Sequence, residues 1–138
     1  SDSFWDISVN LIMKDINHSA TLKDTRILIV EDENLVAWDI EESLRDMGLE
    51  FIDTATSLPA AREFLEKNES HYSLVILDIK LGETDGAELI PDCISLSIPV
   101  LVITGYSNFQ DKRTHVIYKP FSMEELKHKI HLLCNGLD

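Results

Sequence analysis

The amino-acid sequence predicts an α/β domain built as a three-layer, doubly wound, five-stranded parallel sheet. Three observations lead there. Unbroken apolar runs recur, "ILIV" at 27–30, "LVIL" at 74–77 and "VLVI" at 100–103, and a strand apolar at every residue is buried on both faces, as in parallel sheets. The segments between these runs carry apolar residues at helical spacing. Strands alternating with helices pair in parallel through right-handed crossovers, which place helices on both faces of the sheet.

Residues 1–25 read as an amphipathic helix and linker, and 26–137 as the domain. In the first unit Trp5, Val9, Ile12, Met13 and Ile16 make a helical stripe, suited to packing on its own domain or to a dimer surface. Polar residues from Asn17 to Asp24 follow. The first strand begins at Arg26. From Asn34 to Met47 the residues Leu35, Ala37, Trp38, Leu44 and Met47 fall on a helical period, and Gly48 stands where a left-handed helix end is expected. A second strand at Glu50 to Ala55 leads to a helix from Pro59, whose ring suits a first turn, to about Asn68. "SLVILD" is the clearest strand. The segment after it is an abbreviated helix with Pro91 inside it. "PVLVIT" and "HVIYKP" are the fourth and fifth strands. Only Tyr106 to Thr114 remain for the helix between them, which must be short or irregular. Ser122 with Glu125 forms a capping box and Phe121 with Leu126 a hydrophobic staple for the last helix, closed by Asn135 and Gly136.

Composition narrows the function. The 138 residues, 44% hydrophobic, suffice for one core. A formal charge of −13, from 25 acids against 12 bases, argues against a nucleic-acid surface. No apolar stretch reaches the roughly 20 residues of a membrane span, and Asp2 and Asp6 stand where a signal peptide would be basic. Cys93 and Cys134 lack metal-type spacing and read as buried fillers in a reduced, cytoplasmic chain. His128 and His131, one turn apart on the last helix, read as a surface pair. The Asn-x-Ser matches at Asn17 and Asn68 carry no meaning in such a compartment.

The informative residues stand at the strand ends: Glu31 and Asp32, Asp78, Thr104, and Lys119. In a parallel sheet these ends share one edge, the edge where ligands of open α/β sheets bind. Like charges at about 4 Å with an effective dielectric near 20 repel by about 4 kcal/mol per pair. Something positive must sit among three carboxylates. Lys119 supplies one charge, and Mg²⁺ suits a site with few carboxylates and room for water and a phosphoryl group. Asp78 then has the chemistry of a carboxylate nucleophile, with Thr104 and Lys119 placed to hold the remaining oxygens of a transferring group. The plain alternative is that Asp32 or Glu33 caps the following helix; the matching polar residues at the other strand ends weigh against it.

"ILIVEDE", "LVILDIKLGETDG", "VLVITGYS" and "VIYKPFS" resemble the motifs of a two-component response-regulator receiver domain over about Arg26 to Leu133. The resemblance implies the flavodoxin-like strand order 2-1-3-4-5. It also implies Asp78 as phosphoacceptor, Mg²⁺ held by Glu31, Asp32, Asp78 and the backbone carbonyl of Lys80, Thr104 as switch hydroxyl, Lys119 as phosphate-binding lysine, and a cis bond before Pro120. The implied partner is a histidine kinase or phosphotransferase, with a homodimer through the N-terminal helix or the last helix and strand as an option. Two positions depart from the pattern: Val116 stands where an aromatic residue is usual, and Gly82 where proline is common. "PVLVITGY" resembles the FATGY signature of an alphaproteobacterial subfamily associated with general stress signalling, which implies Tyr106 in the switch role that Val116 cannot fill.

Two other classes fit the residues less well. Aspartyl-nucleophile phosphatases place a second acid two residues after the nucleophile, where this chain has Lys80. A nucleotide-binding module of flavodoxin-like topology needs glycine and free amides after the first strand, where this chain is acidic. Within the receiver reading, output is expected through docking, through competition for phosphoryl groups, or as the receiver end of a larger kinase. Direct transcriptional output is not expected, since the sequence ends soon after the last helix.

Overall fold

The computed structural model describes residues 24–67 and 72–134; the expected N-terminal helix and the Asn135–Gly136 helix end lie outside them. The elements are β1 (Arg26–Val30), α1 (Asn34–Asp46), β2 (Phe51–Ala55), α2 (Leu58–Lys67), β3 (Leu74–Asp78), β4 (Lys80–Leu81), β5 (Thr84–Asp85), a 3-10 turn (Gly86–Leu89), α3 (Ile90–Ser95), β6 (Val100–Thr104), β7 (His115–Tyr118) and α4 (Met123–Cys134). The main sheet is parallel throughout in the order β2-β1-β3-β6-β7. This is the predicted flavodoxin-like order, with β6 and β7 as fourth and fifth strands. The antiparallel β4–β5 ribbon is separate, and its two-residue strands are too short to carry a periodic signal.

Strand alternation explains the apolar runs. Leu28, Val30, Val75, Leu77, Val100 and Val102 point to the face covered by α2 and α3. Their neighbours Ile27, Ile29, Leu74, Ile76, Leu101 and Ile103 point to the face covered by α1 and α4. Successive residues therefore need to be apolar, because both faces are covered.

The helix ends follow local chemistry. Gly48 has φ +93, its N–H donates to Arg45 O, and Leu49 N–H reaches Leu44 O, which closes α1 as a left-handed cap. The capping box forms: Glu125 N–H donates to Ser122 Oγ at 3.1 Å, and Ser122 N–H to Glu125 Oε1 at 3.4 Å. Phe121 packs in the cluster that holds buried Leu126. Asp85 Oδ1 accepts from Ala87 N–H and starts the 3-10 turn, and Pro91 falls in the first turn of α3, where no donor is required.

The segment 105–114 contracts further than a short helix, to turns alone. Returning along β6 covers roughly 15 Å at about 3.3 Å per residue, and a helix rising about 1.5 Å per residue would use about ten residues for that distance. None would remain for its two connections. The segment is held instead by Asp111, which accepts from Arg113 N–H and, through its carbonyl, from Thr114, and by Tyr118, whose hydroxyl donates to Phe109 O at 2.7 Å. Phe109 packs on the α2–α3 side in place of helical residues.

Candidate functional site

The five strand-end positions converge on the carboxyl edge of the sheet. Asp78, the last residue of β3, is 5% exposed. Its Oδ1 accepts from Lys80 N–H at 2.9 Å, and its Oδ2 accepts from Lys119 Nζ at 3.0 Å. Lys119 follows β7, and its backbone N–H donates to Thr104 O at 2.8 Å, which locks the ends of β6 and β7 together. Thr104 is buried, and its Oγ1 accepts from Tyr106 N–H at 3.0 Å. The Lys119–Pro120 bond is cis.

Glu31 directly follows β1 and is 2% exposed. Its Oε2 accepts from Glu33 N–H at 3.1 Å, while Oε1 is buried without a hydrogen-bond partner. Burial, and then the neighbouring Asp78 carboxylate, push the Glu31 carboxyl up from 4.5 to about 8. Asp32 turns outward, and its Oδ2 accepts from Gly82 N–H at 2.8 Å. Glu33 makes no side-chain cap bond to α1, and Asp32 is engaged with Gly82, so neither acid behaves as a plain helix cap. Burial lowers the pKa of the Lys119 ammonium, but Asp78, with Glu31 and Glu33 adding less, more than offsets this and holds it above the ordinary lysine value.

Lys80 lies in β4 opposite Asp85. Tyr106 is 52% exposed and lines, with Ile79, Lys80, Ala87 and Phe109, a cleft of about 590 Å³ between the β4–β5 ribbon and the 105–114 segment. Val116 is only partly buried, against the α2–α3 cluster.

Gly86 was not singled out by sequence reasoning, although it lies within the "LGETDG" stretch. Its N–H donates to Ile79 O at 2.6 Å, and a Cβ there would lie 2.3 Å from the Asp78 carbonyl oxygen. Only glycine lets the ribbon close against the peptide that carries Asp78. A glycine shortly after a strand-end acid is a weak signal alone, because close approach is a property of two chain segments.

Among the described residues no three His, Cys, Asp or Glu side chains are grouped as a ready metal cage. The donor set fits a hard cation that keeps several of its waters and takes few protein ligands. Glu31 Oε1 is a buried carboxyl oxygen without a hydrogen-bond partner, and the Lys119 ammonium is paired with Asp78. Chemically, the edge presents a sheltered carboxylate held by an amide and an ammonium, beside a hydroxyl that accepts one bond and retains a proton to donate.

Comparison with known proteins agrees with this geometry. A family model of the response regulator receiver domain matches residues 27–131. The transcriptional regulatory protein PdtaR of Mycobacterium tuberculosis is 33% identical over 115 residues, covering 78% of this chain and 55% of its own. The chain spans about half the length of the curated relatives it matches. The receiver domain of PhyR from Erythrobacter litoralis superposes with a TM-score of 0.70 at 27% identity over 80% of this chain and 90% of that one. The receiver domain of the hybrid histidine kinase CckA gives 0.69 at 26% identity, covering 79% and 98%. With the parallel sheet in receiver order, the family match over most of its length and these neighbours, the chain belongs to the response regulator receiver domain family of two-component systems.

Proposed function

We propose that this chain is a phosphoacceptor: it takes a phosphoryl group from a histidine kinase or phosphotransferase onto Asp78 and signals by partner docking or by competing for phosphoryl groups. The observation that carries this reading is Asp78 itself, sheltered at a sheet edge with one oxygen on Lys80 N–H and the other on Lys119 Nζ. In the transfer, an Asp78 carboxylate oxygen attacks phosphorus. A P–O bond forms as the P–N bond of a phosphoimidazole breaks, and the departing ring nitrogen keeps the electron pair. Lys119 holds oxygens of the transferred group, and Thr104 donates its hydroxyl proton to one of them while still accepting from Tyr106 N–H. This links the 105–114 segment to the modification and makes Thr104 and Tyr106 the switch pair. Later attack of water on phosphorus breaks the acyl-phosphate P–O bond, releases inorganic phosphate and restores the carboxylate.

Glu31, Asp32, Asp78 and the Lys80 carbonyl are the residues that would hold Mg²⁺. When bound, the ion neutralises charge on the transferring group. The exposed Leu35 and Trp38 in the first turns of α1, directly after the acids, supply apolar surface for a kinase helix bundle. Similarity to PhyR, described as a stress response regulator, and the "VITGY" stretch support a place in general stress signalling. Similarity to the CckA receiver supports a second reading, the receiver portion of a hybrid kinase. Among the described residues no helix is long and apolar enough to cross a membrane; with the net charge, this supports a cytoplasmic protein that does not bind nucleic acid.

Incubation with a small phosphodonor and Mg²⁺ tests the central claim by intact mass. Wild type gains one phosphoryl group and Asp78→Asn gains none. An unmodified wild type, or an equal gain in the variant, refutes it.

A further inference from the structure

We propose that Tyr118 is a positioning residue: its hydroxyl pins the helix-less 105–114 segment, so that the Tyr106 amide stays on Thr104 and leaves the Thr104 proton for the phosphoryl group. The inference rests on the phosphoacceptor reading and extends it to a side chain outside the expected site. Thr104 and Tyr118 are cross-strand partners in the β6–β7 register. Val102 and Val116, two residues earlier on the same strands, both pack in the α2–α3 cluster. Side chains alternate along a strand, so Thr104 and Tyr118 stand side by side on that face, on strands roughly 5 Å apart. Each holds one end of the same turn. Thr104 Oγ1 accepts from Tyr106 N–H at 3.0 Å, Tyr106 O accepts from Phe109 N–H at 3.0 Å, and Phe109 O accepts from the Tyr118 hydroxyl at 2.7 Å.

A helix would hold these backbone groups by its own ladder, but residues 105–114 form turns alone. The position of the 106–109 turn therefore depends on what grips its ends. Tyr118 grips one of them from β7, directly before Lys119, whose ammonium is on Asp78 and whose N–H is on Thr104 O. The contacts run from Asp78 through Lys119, Tyr118, Phe109 and Tyr106 and close on Thr104. Thr104 is 1% exposed, so its hydroxyl takes its direction from protein partners. With the Tyr106 amide fixed on one lone pair, its proton is turned away from the segment and remains available to an incoming oxygen. Tyr106 and Phe109 also line the cleft beside the ribbon, so the same grip sets that wall. Tyr118 is 43% exposed, and replacing it with phenylalanine keeps the ring and takes away only the grip.

The test uses the full chain labelled with ¹⁵N, as wild type, Tyr118→Phe, Thr104→Val and the double variant. Hydrogen exchange of the Tyr106 amide is measured in chelator. Affinity for beryllofluoride, a tetrahedral stand-in for the phosphoryl group, is measured with Mg²⁺ from amide shifts. One lost hydrogen bond is worth roughly fivefold. Tyr118→Phe should speed exchange of the Tyr106 amide and weaken beryllofluoride by about that factor, while affinity for Mg²⁺ alone stays within about twofold of wild type. In the Thr104→Val background the same change should weaken beryllofluoride by less than about twofold, because no hydroxyl is left to direct. A Tyr118→Phe protein that matches wild type in either exchange or beryllofluoride binding overturns the inference and leaves the proposed function standing. Equal losses with and without the Thr104 hydroxyl, or a parallel loss of Mg²⁺ affinity, make Tyr118 a general structural residue and also overturn it. A wild type that binds no beryllofluoride overturns both readings.

Discussion

Replacing Glu31 with glutamine should stabilise the metal-free protein at neutral pH and remove most of its pH dependence between about pH 5 and pH 8. Glu31 is buried beside Asp78, and its carboxyl stands near 8 in the folded chain against an ordinary 4.5. The folded state therefore holds this proton more tightly than the unfolded state. Below the unfolded value both states are protonated and the group has no effect. As pH rises through the window from 4.5 toward 8, the unfolded chain releases the proton and the folded chain does not, so stability is lost at up to about 1.4 kcal/mol per unit. At pH 7 the loss approaches about 3 kcal/mol, and above pH 8 it levels at no more than about 5 kcal/mol. Glutamine has the same shape and no charge, so Glu31→Gln should match wild type near pH 4.5 and exceed it by about 3 kcal/mol at pH 7. The assay is urea unfolding in chelator at several pH values. Adding Mg²⁺ should stabilise wild type more than the variant, since the ion supplies the missing counter-charge. Parallel stability curves for the two proteins across this range would refute the reasoning, because a constant offset means that Glu31 ionises normally in the fold.

Three further outcomes follow from the same geometry. Lys119→Met leaves the Asp78 charge without its 3.0 Å partner; because the ammonium is partly exposed, the cost is about 1–2 kcal/mol, and a double-mutant cycle with Asp78→Asn should show most of it as coupling, so strict additivity would contradict the pairing. Gly86→Ala drives a methyl group to 2.3 Å from the Asp78 carbonyl oxygen; the ribbon must move away at about 2–4 kcal/mol, seen as a lower melting temperature, and an unchanged melting temperature would show that the approach is not needed. Trp38→Ala should slow phosphotransfer from the cognate histidine kinase by about fivefold or more while leaving labelling by a small phosphodonor unchanged, and equal losses in both assays would exclude Trp38 from kinase docking.

Most of the fold was legible from the residues, for a physical reason visible in β1 and β3. A strand buried on both faces must be apolar at every position, and Ile27 to Val30 and Leu74 to Leu77 carry that requirement openly. Helix ends were legible where the chemistry is local, as at Gly48 and in the Ser122–Glu125 box. The β4–β5 ribbon gave no signal because two-residue strands leave no periodicity, whereas the irregular 105–114 segment was legible from the few residues left between Thr104 and the last strand.

Residue order by itself determined which strand ends carry acid, hydroxyl and ammonium, because a parallel sheet brings all its carboxyl ends to one edge whatever the side chains do there. It also determined the acidity that makes a counter-charge necessary. Only the tertiary structure decided that Glu31 is sealed with one oxygen unpaired, that Asp32 is caught by an amide 50 residues away, and that Gly86 must lack a side chain to let the ribbon close on Asp78. These depend on distances between segments remote in sequence, and a distance of that kind leaves no trace in either segment read alone.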